Sequence, residues 1–93
     1  MGKWTKKWEK DRRNLKKVFD DKWITNCEAQ LGGCMHNNFL SFHHRHKRKW
    51  YKERGKEDLL GAFNQNILVC ANCHEKLEDD RKATREIFLQ LRD

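Results

Sequence analysis

The feature that most constrains this chain is a set of four cysteines, arranged as two pairs within 93 residues. Cys70 and Cys73 are separated by two residues, and Cys27 and Cys34 by six. A chain this short can bury only a thin apolar core, so domains of this size usually need disulfides or a structural metal. The choice between these two depends on the compartment in which the chain folds.

The N-terminal segment indicates a reducing compartment. Residues 1–23 are charged throughout and lack the apolar stretch of a secretory signal. No segment approaches the roughly 20 apolar residues that a bilayer span requires. We therefore expect a cytoplasmic protein without a membrane partner, whose thiols stay reduced. Four reduced thiols favour a bound metal over disulfides.

The spacing of the cysteines predicts a structural zinc site. Structural Zn²⁺ takes four tetrahedral nitrogen or sulfur ligands, commonly from two closely spaced pairs. The Cys70–Cys73 pair has the usual spacing, whereas the Cys27–Cys34 pair is wider than the usual two to four intervening residues. We predict these four cysteines as the zinc ligands, with His36 as an alternative to Cys34.

The net charge of +7 predicts a polyanionic partner. Positive charge of this density attracts phosphate groups and accelerates encounter with them. Charge alone is also compatible with a merely soluble surface. Because basic residues are interleaved with aromatic ones, the pattern favours nucleic acid.

Residues 1–24 are predicted to form an N-terminal basic amphipathic helix, beginning near residue 3. Apolar side chains recur on one face at helical spacing, namely Trp4, Trp8, Leu15, Phe19 and Trp23. The other faces carry nine cations and four carboxylates. We expect the tryptophans to pack on the metal-bound core, although Trp4 and Trp8 lie far from it along the chain and could instead contact DNA or a second subunit.

Residues 25–93 are predicted to form the zinc-stabilised core of a single small α+β domain that spans residues 1–93. Gly32 and Gly33 supply the turn that brings Cys34 to face Cys27. The remaining predicted elements are a strand within 39–44, a basic loop over 45–54, a short helix or turn over 57–63, a strand over 67–69 and one terminal helix over 72–91.

Histidines lie close to both cysteine pairs. His43 and His44 end the first predicted strand, and His74 directly follows Cys73 at the start of the last helix. Glu78 comes one helical turn after His74 and shares its face. The two side chains could therefore face one metal ion together. Solvated histidines in a cationic segment are the simpler interpretation of any one of them.

The histidine pair, an Asn before a short apolar strand, and the string Cys70-Ala71-Asn72-Cys73-His74 together resemble the HNH nuclease family. The likeness is greatest to the small zinc-stabilised HNH endonucleases of phages and mobile elements, and it covers about residues 27–78. In that family two antiparallel strands and a helix form a ββα-metal motif. The resemblance implies a phosphodiester-hydrolysing DNA endonuclease.

The resemblance also implies roles for individual residues. His43 would bind the catalytic divalent ion, and His44 would be the general base that activates water. His74 would be a second ligand of the ion. Glu78 stands where the family often has a further histidine, and its hard oxygen would suit Mg²⁺ or Mn²⁺. The orienting Asn falls by spacing on Gln65, which Asn64 and Asn66 flank; we choose Asn66.

Basic residues near these histidines are predicted to hold DNA phosphates. They are Arg45, Lys47, Arg48 and Lys49 beside the histidine pair, and Lys6, Lys7, Lys10 and Arg13 on the N-terminal helix.

With one catalytic site per chain, double-strand cleavage would need a homodimer, a larger phage or host assembly, or two binding events. The alternative functions are a non-catalytic zinc module that binds nucleic acid and, less consistent with the charge, a zinc knuckle that binds protein.

Overall fold

The computed structural model describes the backbone of residues 2–93 and the side chains from residue 7 onward. Its helices and strands are α1 (Gly2–Asp21), β1 (Ser41–His44), α2 (Arg48–Glu53), β2 (Asn66–Val69), α3 (Ala71–Glu78) and α4 (Arg81–Leu91). Two short 3-10 turns, Glu57–Gly61 and Phe63–Gln65, lie between α2 and β2. The predicted α+β class is confirmed. None of the described helices is both long and apolar enough to span a bilayer.

The two strands form an antiparallel sheet in which Ser41 lies opposite Val69 and His44 lies opposite Asn66. Side chains alternate between the two faces of a strand. Ser41 and His43 therefore share one face of β1, and Phe42 shares the other with His44. All four residues of β2 are buried, so both faces of the sheet are covered.

Each face of the sheet is covered by a different apolar cluster. On one face, Ile67 and Val69 pack with the cysteines and with Leu77 and Phe88 of the C-terminal helices. On the other face, Leu68 packs with two residues of α1, Leu15 and Phe19. The sheet therefore separates the cysteine cluster from the basic helix, and both layers meet at its ends.

Helix α1 ends earlier than predicted, and this changes the role of its last tryptophan. Trp23 lies beyond the helix at φ +63° and is 88% exposed, so the prediction that it packs on the core is wrong. Trp8 is not remote from the core either, because its ring lies 4.8 Å from that of His44. The side chain of Trp4 lies outside the described residues.

The segment predicted as a basic loop contains α2. Its buried residue is Tyr51, whose hydroxyl donates to the Gln65 side-chain oxygen at 2.7 Å. Burial of this aromatic ring explains why the basic segment folds back on the core as a helix. The periodicity of its charged neighbours did not reveal this helix.

The predicted single terminal helix is wrong, because the chain breaks between α3 and α4. Asp80 caps the N-terminus of α4, and its side chain accepts a hydrogen bond from the Ala83 amide at 3.0 Å. Aspartate is among the strongest N-cap residues. The break turns α4 back, so that Thr84 and Phe88 are fully buried, whereas Leu91 at the end of the helix is exposed.

Candidate active site

The four cysteines form one cluster. Their sulfur atoms all lie within 4.8 Å of one another, and Cys34 Sγ is 4.0 Å from Cys70 Sγ. A tetrahedral site with Zn–S bonds of about 2.3 Å has sulfur–sulfur separations of about 3.8 Å. None of the four thiols is in a disulfide. The predicted ligand set is therefore assembled as a group that could hold a metal such as zinc.

His36 stands outside this cluster. Its ring is exposed, and its backbone amide donates to the Cys34 sulfur at 3.3 Å, while its carbonyl accepts from the Cys27 amide at 2.8 Å. The residue therefore positions the first cysteine pair through its backbone. The alternative that His36 replaces Cys34 finds no support in this arrangement.

Cys70 connects the cysteine cluster to α3. Burial acts to raise the pKa of its thiol, but hydrogen bonds from the backbone amides of Met35 and Cys73 and the neighbouring thiols outweigh burial and lower the pKa to about 6. The same residue is the N-cap of α3, where its side chain accepts from the Cys73 amide. The cluster therefore determines where α3 begins.

Helix α3 presents His74 and Glu78 on one side. His74 Nε2 lies 3.9 Å from a Glu78 carboxylate oxygen, as their spacing of four residues predicts. The other ring nitrogen, Nδ1, lies 2.7 Å from the Ser41 hydroxyl oxygen. His74 is therefore held between the end of α3 and the start of β1, with Nε2 directed toward the carboxylate.

His43 is buried beside His74, with the two ring centroids 5.1 Å apart. Its Nε2 lies 3.1 Å from the Thr84 hydroxyl oxygen, and that hydroxyl donates its one hydrogen to the Leu77 carbonyl at 2.7 Å. The Thr84 oxygen must therefore accept from His43 Nε2–H. Burial, reinforced by the neighbouring His74 and the Arg81 guanidinium, lowers the pKa of His43 to about 3, so the neutral ring keeps its lone pair on Nδ1.

His44 lies on the opposite face of β1. Its ring packs edge-on against Trp8 and lies 6.3 Å from the Tyr51 ring. Burial lowers the pKa of His44 to about 4, and the nearby Arg48 charge adds to this shift, whereas the Asn66 side chain opposes it. The imidazole is therefore neutral at pH 7 and able to accept a proton.

Asn66 is fully buried opposite His44. Its amide nitrogen donates to the carbonyls of Leu60 at 2.7 Å and Ala62 at 2.9 Å, which fixes the orientation of the amide. Asn66 Oδ1 and His44 Nδ1 are both buried, and neither has a hydrogen-bond partner by distance and angle among the described residues. A small rotation of the imidazole toward the amide would satisfy both atoms.

The two flanking candidates for the orienting residue lie elsewhere. Asn64 is exposed, and Gln65 is occupied by its hydrogen bond from the Tyr51 hydroxyl. Of the three, Asn66 is the residue that the structure places against His44.

A cleft of about 380 Å³ brings the predicted base and the predicted ligands of the catalytic ion together, while Asn66 lies outside its lining. The cleft is lined by His43, His44, His74 and Glu78, together with the cations Lys47, Arg48 and Arg81. The imidazoles of His43 and His74 and the carboxylate of Glu78 are suitable types of donor for a divalent ion. They are less closely gathered than the cysteines, which are the one group of three or more candidate donors found together among the described side chains.

The basic residues predicted beside the histidine pair divide into two sets. Lys47 and Arg48 line the cleft, and Lys49 is exposed beside them. Arg45 instead forms a 2.7 Å ion pair with Asp93, and its guanidinium lies over the Phe88 ring at 5.1 Å. The Arg45 side chain is therefore held against α4 and the last residue of the chain.

The basic residues predicted on α1 also divide. Lys7 pairs with Asp58 at 2.7 Å, and this hydrogen bond raises the pKa of Lys7. Lys10 is exposed away from the cleft, whereas Arg13 lines a larger cavity beside β1. The side chain of Lys6 lies outside the described residues.

Sequence reasoning missed the two hydroxyls that hold the histidines, Ser41 and Thr84. Ser41 was detectable, because it lies two residues before His43 in a predicted strand and therefore on the same face. Thr84 carried no local signal. It lies 41 residues from His43 along the chain and reaches it only because α4 turns back.

Replacing Thr84 with Val is expected to leave His43 Nε2–H unpartnered in the core, with the shape of the side chain preserved. The free energy of unfolding should fall by about 1–3 kcal/mol, and the ¹⁵N chemical shifts of His43 should lose the pattern of a single Nε2–H tautomer. Thr84→Ser should restore both. An unchanged tautomer in Thr84→Val would contradict the assignment.

The chain matches no protein-family model, no curated protein and no solved structure in comparisons with known proteins. The geometry of the site therefore carries the functional argument by itself.

Proposed function

We propose that this chain is a divalent-metal-dependent DNA endonuclease of the HNH type. The observation that carries the proposal is the cleft that His43, His44, His74 and Glu78 share with Arg48 and other cations. A module that only binds nucleic acid has no need to bury two neutral histidines beside a third histidine and a carboxylate. The order of elements supports the same family, since α3 follows β2 directly and contacts both antiparallel strands.

His44 is the proposed general base. In the proposed mechanism, His44 Nδ1–H donates to Asn66 Oδ1, so the lone pair lies on Nε2, where it takes a proton from the attacking water. The water oxygen forms a new bond to phosphorus, and the bond from phosphorus to the 3′-oxygen breaks. The Trp8 ring packs edge-on against the His44 ring, with the two centroids 4.8 Å apart. This contact limits rotation of the imidazole during proton transfer.

His43, His74 and Glu78 are the proposed ligands of a catalytic Mg²⁺ or Mn²⁺. When bound, the ion supplies Lewis-acid stabilisation of the charge on the departing oxygen. The chain itself prepares the ligands. Thr84 and Ser41 each contact one ring nitrogen of a histidine and leave the other nitrogen for the ion, as is usual for histidine ligands.

The cysteine cluster is proposed to hold structural Zn²⁺, which stabilises the start of α3 and thereby the position of His74. Lys47 and Arg48 are proposed to contact the phosphates next to the scissile bond. Nearby positive charge of this kind increases affinity for DNA and makes it sensitive to salt.

Incubation of supercoiled plasmid with the purified chain tests the proposal. Nicked or linear product should form with Mg²⁺ or Mn²⁺ and not with a chelator, and a parallel mock preparation from cells that do not express the chain gives the background from contaminating nucleases. Retained DNA binding with no cleavage in any divalent ion would instead favour the non-catalytic zinc module.

A further inference from the structure

A cavity of about 670 Å³ lies between α1 and β1. We call this cavity the α1 groove. Its cations are Arg12, Arg13 and Lys16 of α1 and Arg48 of α2. Among the residues whose side chains are described, Asp20 is the one carboxylate in its lining, and it lies 3.7 Å from Lys16 in an exposed pair. The rim is therefore strongly positive.

The interior of the α1 groove is apolar. Ile24, Leu40 and Phe42 line it, and all three are only partly buried against the core cluster beneath α1. A surface that only attracts the phosphates of a regular duplex needs no such interior. Its volume lies within the ~300–1,000 Å³ typical of sites for small organic groups.

The α1 groove adjoins the cleft that holds the proposed catalytic residues. Phe42, Arg48 and His74 line both cavities. A strand whose phosphate lies beside His74 would therefore have its neighbouring nucleotide at the mouth of the groove. Trp8 lies at the same junction and touches His44.

From this arrangement we propose that the α1 groove takes an unpaired nucleotide of the DNA substrate, next to the scissile phosphate. The base would lie on the apolar interior, and the cations of α1 would hold the adjoining phosphates. Proteins commonly bind single strands by such stacking within a positive groove, and a paired base in a duplex is not available to it. The inference rests on the proposed function and specifies its substrate as DNA with an unpaired segment, such as a bubble, a flap or a single strand.

Binding without divalent ions tests the groove separately from catalysis. The probes are a labelled perfect duplex, the same duplex with a central unpaired bubble, and a single strand. The wild-type chain should bind the bubble on the order of tenfold more tightly than the perfect duplex. Equal affinity for the two would overturn the proposal, whether or not the chain cleaves plasmid.

A pair of charge-reversed variants locates the preference. Arg12→Glu with Lys16→Glu alters the groove, whereas Lys10→Glu with Lys17→Glu makes the same change in charge at exposed positions of α1 that do not line it. The groove variant should lose the preference for the bubble, and the control should weaken all three probes by a similar factor. A preference that survives in the groove variant would overturn the assignment.

Two further measurements make these outcomes unambiguous. Circular dichroism and the thermal midpoint test whether both variants fold. If the groove variant does not fold, Arg12→Gln with Lys16→Gln takes its place. Bubble preference without cleavage by the wild-type chain would support the groove and refute the nuclease. Cleavage without bubble preference would support the nuclease and refute the role given to the groove.

Discussion

Cys70→Ala and Cys73→Ala are each expected to leave the chain largely unfolded and without stoichiometric zinc. Both residues are completely buried, and Cys70 is also the N-cap of α3. Zinc binding contributes about 10–16 kcal/mol in zinc-finger peptides, as much as the ~5–15 kcal/mol that stabilises a typical domain. Circular dichroism with elemental analysis measures both consequences.

His36→Ala is the matched control for the cysteine variants. The substitution removes a potential metal ligand two residues after Cys34. The His36 ring is exposed, however, and the residue contacts the cysteines through its backbone. Zinc content and fold should therefore be retained. Well-folded wild-type protein without any bound metal would contradict the role given to the cluster.

His44→Ala is expected to abolish most cleavage while zinc content and DNA affinity stay close to those of the wild type. Removal of a general base costs on the order of 10²- to 10⁴-fold in rate. Because His44 packs against Trp8 and Tyr51, His44→Gln serves as a second variant that fills more of the space. Single-turnover nicking of plasmid measures the rate.

Two other histidine variants separate a base from a ligand. His74→Ala should also lose activity, but raised Mg²⁺ or Mn²⁺ should partly restore it, whereas no added ion should rescue His44→Ala. His46→Ala should keep most activity, since its ring is stacked on Trp50 at 3.9 Å. Wild-type nicking by His44→Ala would refute its role as base.

The lowered pKa of His44 sets the direction of the pH dependence. The protonated ring cannot accept a proton, so the rate should fall as pH drops toward the pKa of about 4. Between about pH 5 and 8, where an ordinary histidine titrates, protonation of His44 should change the cleavage rate little. A rate that halves near pH 6.5 would mean that the ring is not buried in the active protein.

Several features of this protein are determined by local sequence. The Cys70–Cys73 spacing places two sulfurs at the first turn of a helix, and His74 and Glu78 then share a face because they are four residues apart. The alternation in Ser41–His44 similarly separates His43 from His44 across a strand. These inferences need only the geometry of one helix or one strand.

Other features depend on contacts between segments that are distant in sequence. The choice of Asn66 over its neighbours comes from pairing with β1, which places it opposite His44. Trp8 reaches His44 only because α1 packs against the sheet. A shift of one residue in strand register would exchange the two faces, and no local pattern specifies that register.

The local sequence therefore determined which side chains are candidates for a site, and the tertiary structure decided which of them meet. Thr84 contacts His43 because Asp80 caps a new helix and turns α4 back onto the sheet. The positive rim and apolar interior of the α1 groove likewise come from different elements of the chain. Packing brings such elements together through burial of apolar area, a nonlocal effect that spacing along one segment does not encode.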